Sequence, residues 1–399
     1  MENRPNVVMV GLGYIGLPTA ALIASKGLQV TGVDVSKKVV DTINKGQIHI
    51  VEPDLDGLVH HVVKKGYLKA ATQAVEADVY LIAVPTPFKE NNVPDLAFVK
   101  AAAKSIIPTL KQGALVILES TSPVGTTQKV ENLILRERPE LRGKIYIAYC
   151  PERVLPGNII YELEHNDRAI GGIDEDSTDR AVAFYKNFVK GELHKTNART
   201  AEMCKLVENS SRDVQIAFAN ELSMICDKAD INVWELIHLA NKHPRVNILQ
   251  PGTGVGGHCI AVDPWFIVSE FPEEAKIIRT AREINNYKTE WVIEKIKNKA
   301  LQFKIDKGRE AIVACMGLAF KPNIDDLRES PALTVAESLE KDGLSVLMVE
   351  PNLQTDSNYK LTGIQEAVEK SDIIVFLVAH KEFRDLKINS DKQILNYVG

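Results

Sequence analysis

Apolar residues in the first third of the chain fall in short, nearly unbroken runs: Val7–Val10, Gln29–Asp34, Val79–Val84, Leu115–Leu118 and Tyr146–Ala148. A strand covered on both faces reads as such a run, whereas a half-solvated strand alternates. Helix-like stretches separate the runs, Thr19–Ser25 being the first. Buried strands alternating with helices predict a parallel sheet wrapped by crossovers. The last quarter keeps the same order: Ile312–Met316 ends in Gly317, Leu344–Val349 ends in Glu350, and Ile373–Val378 follows Asp372. This predicts a second doubly wound sheet, alike in pattern rather than in sequence. From about Asn197 to Lys299 the periodicity is helical, with no convincing strand. There Met203, Leu206, Val207, Val214, Ala217, Phe218, Leu222 and Ile225 form one apolar stripe, as on a long helix linking two α/β domains.

Length agrees with this division, since 399 residues make about two to three domains of roughly 150 residues each. Hydrophobic content of 45% and charged content of 25% exclude disordered and fibrous classes. The net charge of −5 argues against a general nucleic-acid or membrane-surface role, while leaving room for a local basic pocket. Cys150, Cys204, Cys226, Cys259 and Cys315 are odd in number and contain no CxxC pair. They imply no disulfide framework and no metal site, and they fit a reducing cytoplasm. Val7–Ala24 carries no charge, as a signal peptide or short membrane span would. Its glycines and Pro18 make it a strand, turn and helix instead.

That turn is Gly11-Leu12-Gly13-Tyr14-Ile15-Gly16, and the next strand ends at Asp34, 18 residues past Gly16. The pattern has the spacing of a dinucleotide fingerprint. Gly11 allows the tight turn, Gly13 lets backbone approach a pyrophosphate, and Gly16 lets helix and strand pack closely. The helix N-terminus faces the phosphates with unpaired N–H groups. Asp34 would accept bonds from the adenosine ribose and repel a 2′-phosphate, which favours NAD over NADP. Thr86, Thr121 and Thr126 follow later strands and are placed to line the cofactor cleft, unless they serve only their own turns.

The densest chemistry lies in Gly252–Pro264, where four glycines precede Cys259 and Asp263 follows it. The loop reads either as a reactive thiol with a nearby base or as an inert cysteine in a glycine-rich turn. His258 beside it is a second candidate activator. Lys205, Asn209 and Arg212 recur at i, i+4 and i+7, about 180–240° around the helix from Met203. They are either a solvated polar face or a polar row lining the cleft between domains. NAD together with a nucleophilic cysteine suits oxidation of an alcohol to an acid, because a thiohemiacetal gives up hydride where a free aldehyde does not.

Four blocks together resemble the nucleotide-sugar 6-dehydrogenases, the family of UDP-glucose dehydrogenase, along essentially the whole chain. They are Gly11–Gly16 with Asp34, Cys150-Pro151-Glu152-Arg153, Glu202–Arg212 with Gly252–Pro264, and Gly317-Leu318-Ala319-Phe320-Lys321 running to Arg328. The resemblance implies two Rossmann-like doubly wound domains joined by a central all-helical dimerisation domain. Residues 1–196 would bind NAD, 197–299 would carry the lysine and cysteine loop, and 300–399 would bind UDP. It implies oxidation of the C6 hydroxyl of a UDP-sugar to a carboxylate with two NAD⁺. Cys259 would be the nucleophile and Lys205 the general acid/base. Asn209 would stabilise the C6 oxyanion, Asp263 would orient the lysine and a water, and Glu152 with Thr121 would assist thioester hydrolysis. Tyr14 and Ile15 would join the glycines at the cofactor, as would Arg328.

Arg153, Val154, Arg212, Gly256, Phe320 and Lys321, with Lys205 and Asn209, match the family's UDP-sugar contacts. His243 and Arg245 match a loop that reaches the neighbouring site of a homodimer. His258 and Val262 resemble the branch acting on 2-acetamido sugars. Ala261, the block Ile48–Pro53 and His243-Pro244-Arg245 are similar to its UDP-N-acetyl-D-mannosamine members, with UDP-N-acetylglucosamine the runner-up substrate. A sensor on the same fold that binds both ligands without chemistry is the alternative from another class.

Overall fold

The computed structural model describes residues 4–50, 52–89, 92–154, 157–257, 259–353 and 359–399, so Val51 and His258 lie outside the described residues. The chain divides into two compact units, Met1–Val207 and Glu208–Gly399.

In the first unit the apolar runs become the strands β1 (Val7–Val10), β2 (Val30–Val33), β4 (Val79–Ile82), β5 (Leu115–Leu118) and β6 (Tyr146–Tyr149). β3 (Leu68–Ala71), β7 (Arg168–Gly172) and β8 (Leu193–Asn197) complete an eight-stranded sheet in the order β3-β2-β1-β4-β5-β6-β7-β8. β1, β2, β4 and β5 are buried at every position, which is why β1, β4 and β5 read as unbroken apolar runs, broken in β2 only by Thr31 and Gly32. The predicted parallel sheet holds from β3 to β6, but β7 pairs antiparallel with β6, through Ala148 with Gly172 and Tyr149 with Gly171.

The crossovers are α1 (Gly16–Ser25), α2 (Lys37–Asn44), α3 (Leu55–Lys64), α4 (Ala97–Ile106), α5 (Thr126–Glu137), α6 (Ile159–His165) and α7 (Glu175–Tyr185). Ser36 and Asp174 cap α2 and α7 by accepting from Val39 N and Ser177 N, supplying partners that helix N-termini lack. The two sheet faces bury separate cores. Met9, Leu17, Leu81 and Ile117 lie in one, and Val8, Tyr80, Ile82 and Ile147 in the other.

A 32-residue helix, α8 (Ala198–Ala229), carries the chain from the first unit into the second. The apolar stripe read from the sequence is only partly its buried face: Leu206 and Ala217 are buried, but Val207, Phe218 and Ile225 are exposed. Polar residues are buried in their place. In the second unit α8 is followed by α9 (Val233–Ala240), α10 (Asp263–Glu270) and the long α11 (Lys276–Lys307). Asp213 of α8 pairs with Arg282 of α11 at 2.6 Å, and both are buried. Asn285 donates to the Asp213 carboxylate at 2.8 Å and receives the Asn220 amide at 2.9 Å. Burial pushes Asp213 up to about 6 despite the attraction of Arg282. Breaking a buried pair of this kind leaves an uncompensated charge, so the seam favours one register of α8 against α11.

The second sheet is wholly parallel, in the order β10-β9-β11-β12: β9 (Ile312–Met316), β10 (Ser345–Val349), β11 (Ile373–Phe376) and β12 (Gln393–Asn396). α12 (Pro331–Lys341), capped by Ser330, and α13 (Ile364–Lys370) are its crossovers.

Candidate functional site

In the first unit the carboxyl ends of β1 and β2 bring Gly11 and Asp34 together. Gly11 has φ +94°, and its N–H donates to Val33 O at 2.8 Å. A Cβ would lie 2.3 Å from Ala83 O at Gly11 and 1.8 Å from Gly11 O at Gly16, so neither position has room for one. Gly13 differs, with nothing within 4 Å of the place a Cβ would take. That open backbone suits a pyrophosphate at the start of α1. Asp34 is half-buried and accepts one N–H on each oxygen, from Leu12 at 3.1 Å and Ser36 at 2.8 Å. A carboxylate has about four acceptor sites, so capacity remains for ribose hydroxyls. Tyr14 is exposed and Ile15 half-buried beside this turn. Thr86 and Thr126 are buried and Thr121 half-buried, and the Thr126 hydroxyl donates to Pro123 O at 2.6 Å.

Two polar groups here lie in blocks named from the sequence, but their roles do not show there, because their partners are far along the chain. Fully buried Glu202 accepts Gly125 N at 2.5 Å, and Thr127 N and Oγ1 at 2.7 Å each, closing the N-terminus of α5. Glu52, inside the block Ile48–Pro53, does the same for α6: it accepts Gly157 N at 3.0 Å and Ile159 N at 2.8 Å.

Glu152 follows β6 and is buried against Arg168, with Nη1 3.2 Å from Oε2. The Arg153 N–H also donates to it, at 2.6 Å. The same guanidinium lies 3.9 Å from Cys150 Sγ and over the Tyr185 ring. Tyr185 donates its hydroxyl to Glu119 at 2.6 Å. Burial pushes Glu119 up to about 7 and the Cys150 thiol up to about 11. The cluster therefore holds a neutral thiol, a carboxyl poised near neutrality and an ion-paired Glu152. Arg168, Tyr185 and Glu119 carry no motif that would mark them. Arg153 is exposed and Val154 half-buried just beyond.

In the second unit Cys259 is exposed, whereas Cys150, Cys226 and Cys315 are buried and Cys204 is half-buried. Its carbonyl accepts the N–H groups of Val262 at 3.2 Å and Asp263 at 2.9 Å, which leads the loop into α10. Asp263 is buried and accepts the Asn209 amide at 2.5 Å. Asn209 is thus more than a solvated polar position. Arg212 is exposed three residues later, while Lys205, half-buried one turn earlier on α8, belongs to the first unit. The glycine loop is tied at its start, where Gly252 N donates to Asn220 and Thr289 donates to Thr253 O, both at 2.9 Å. Phe320 lies against its far end: a Cβ on Gly256 would be 2.8 Å from Phe320 Cβ, and one on Gly257 2.8 Å from its ring. Lys321 is exposed beside Phe320. Arg328 is exposed and its guanidinium reaches Asp326 at 2.6 Å. His243 and Arg245 sit exposed in a loop whose two ends Asn241 joins, through bonds to Ile248 N and O at 2.7 and 2.9 Å. No described helix is long and apolar enough to cross a membrane.

Three family profiles cover most of the chain. The NAD binding domain of the UDP-glucose/GDP-mannose dehydrogenase family matches residues 5–189, its central domain 199–287 and its UDP binding domain 314–397. The UDP-N-acetyl-D-mannosamine dehydrogenase of Campylobacter jejuni is 56% identical over 99% of both chains. The NDP-N-acetyl-D-galactosaminuronic acid dehydrogenase of Ralstonia nicotianae is 53% identical over 97% of this chain and 93% of its own. Among solved structures, the UDP-D-ManNAc dehydrogenase from Pyrococcus horikoshii superposes with a TM-score of 0.88 at 39% identity, over 99% of this chain and 95% of that one. With all three profiles matched in order, the chain belongs to the UDP-glucose/GDP-mannose dehydrogenase family.

Proposed function

We propose that this protein oxidises the C6 hydroxyl of UDP-N-acetyl-D-mannosamine to the carboxylate, using two NAD⁺ and a thioester on Cys259. The observation that carries the reading is the exposed Cys259 at the mouth of a tied glycine loop, one turn from an Asp263 that already holds Asn209. An inert cysteine needs neither feature. Identity above 50% over nearly full length to a protein named for this activity supports the sugar.

The first unit fits NAD. Gly13 leaves open backbone, Asp34 keeps acceptor capacity, Gly11, Tyr14, Ile15 and Gly16 complete that turn, and Thr86 and Thr126 join them at the cofactor. Bound there, NAD⁺ would accept hydride from C6. The remaining chemistry belongs to the protein. Lys205 takes the hydroxyl proton as general base, and its cation with the Asn209 amide stabilises the developing oxyanion. The Cys259 thiolate adds to the C6 carbonyl to give a thiohemiacetal, and oxidation of that adduct leaves a thioester. Water then cleaves the C–S bond, releasing the acid and the thiol. Glu152 and Thr121 assist this step, and Asp263 orients the water. Arg153, Val154, Arg212, Gly256, Phe320 and Lys321 hold the UDP-sugar.

The assembly is a homodimer in which His243 and Arg245 reach the neighbouring copy's site. Exposed Phe218 and Ile225 on α8 support this as an unpartnered apolar face. The chain works in the cytoplasm as three parts, 1–196, 197–299 and 300–399.

The test is a UDP-sugar panel read by NADH yield. UDP-N-acetylmannosamine should give two NADH per molecule and an acid product. A second reading has another 2-acetamido sugar as substrate, favoured by the 53% identity to a relative named for a galactosaminuronic acid. It replaces the first if that sugar or UDP-N-acetylglucosamine shows the higher kcat/KM. Tight binding of both ligands without NADH would make the chain a sensor.

A further inference from the structure

The two sheets repeat one backbone device. In the first, Gly11 has φ +94° and donates to Val33 O at 2.8 Å, Leu12 N donates to Asp34 at the end of β2, and Ala83 N donates to Val10 O. In the second, Gly317 has φ +92° and donates to Val349 O at 2.8 Å, Leu318 N donates to Glu350 at the end of β10 at 2.8 Å, and Leu377 N donates to Met316 O. Each acid therefore stands where a dinucleotide-binding sheet places its ribose-reading carboxylate.

Their surroundings differ. Asp34 is half-buried and receives two N–H groups. Glu350 is buried and receives five donors: Leu318 N, Ala319 N, Asn352 N, Asn352 Nδ2 and His380 Nε2. His380, itself 1% exposed, adds a side-chain donor of a kind that Asp34 lacks. Its Nε2 lies 3.0 Å from Glu350, and its Nδ1 accepts Asn323 N at 2.9 Å, which assigns the proton to Nε2. Glu350 thus grips the start of the loop Gly317–Asn323, and His380 grips its end. Phe320 and Lys321 lie between the two grips, with Phe320 against Gly256 and Gly257 of the cysteine loop.

We infer that His380 and Glu350 are positioning residues for the UDP-sugar: an acid open to a ribose in the first sheet is, in the second, bonded by an imidazole and made the anchor of the loop bearing Phe320 and Lys321. The inference rests on the substrate role proposed above for that loop.

The experiment compares wild type with His380→Ala, His380→Gln and Glu350→Gln, using UDP binding by calorimetry and steady-state kinetics well below each variant's Tm. His380→Ala and Glu350→Gln should weaken UDP binding and raise KM for the UDP-sugar by about tenfold or more, the scale of one lost charge-assisted hydrogen bond. KM for NAD should stay within about twofold, which general loosening of the fold would not produce. His380→Gln, whose amide can still donate to Glu350, should recover part of the affinity. UDP affinity unchanged in folded His380→Ala, or UDP and NAD affinities falling together, would overturn the inference. Failure of the wild type to yield NADH from any UDP-sugar overturns the proposed activity instead. The two failures are read from different proteins. Should His380→Ala not fold, Glu350→Gln and His380→Gln give the same comparison.

Discussion

The side-chain amide of Asn209 donates to the carboxylate of Asp263 over 2.5 Å, tying α8 to the first turn of α10 and so to the backbone of Cys259. Asn209→Ala leaves that buried carboxylate one donor short. It should lower kcat by about 10- to 100-fold, the loss of a hydrogen bond to a charged group. NAD affinity, measured by fluorescence titration, should not change. A kcat within twofold of wild type would separate this bond from the chemistry.

The glycines of the fingerprint should part company. Gly13 is exposed and has nothing near the place of a Cβ, so Gly13→Ala should keep Tm within about 2 °C while raising KM for NAD at least tenfold. Gly11→Ala should unfold the turn, because it combines positive φ with a 2.3 Å approach to Ala83 O. Thermal melts of the two variants beside NAD titrations make the comparison.

Alkylation should find one cysteine first. Iodoacetamide on the native protein should modify Cys259, with activity lost in proportion. Cys150, Cys226 and Cys315 are buried and should react only after unfolding, and burial holds Cys150 and Cys315 up at about 11 and 12. Peptide mass spectrometry reads the order.

Glu119 should make stability depend on pH. Burial raises its carboxyl from 4.5 to about 7, with Arg168 opposing and Glu152 adding to the rise. A carboxyl raised by folding holds its proton more tightly in the folded state. Its contribution is therefore most favourable below about 4.5 and is lost as pH climbs to about 7. Relative to Glu119→Gln, the wild type should lose on the order of 3 kcal/mol across that window. Urea midpoints at pH 5 and pH 8 test the sign.

What the sequence made legible follows from how local each signal was. β1, β2, β4 and β5 are buried on both faces and announce themselves as apolar runs. β3 contains Lys69 and two alanines, and β7 reads Arg-Ala-Ile-Gly-Gly, so neither carries the pattern. The stripe on α8 was periodic and still marked the buried face only in part, because Asp213, Asn220 and Ser223 are buried too, paired with Arg282, Asn285 and Lys288 of α11. Hydrophobic periodicity cannot show such pairing. At the site, Gly11–Gly16 and Gly252–Pro264 were legible because close backbone approach forces glycine into the sequence. The roles of Glu202, Arg168 and His380 were not, since each residue acts through partners distant along the chain.

Asn241 closes a ring between its own side chain and the backbone of Ile248, with His243 and Arg245 on the span between. Fixing a residue's backbone costs roughly 1–2 kcal/mol of conformational entropy. That cost is met here during folding. Whatever surface meets the loop finds it already shaped, so docking there is preorganised rather than induced.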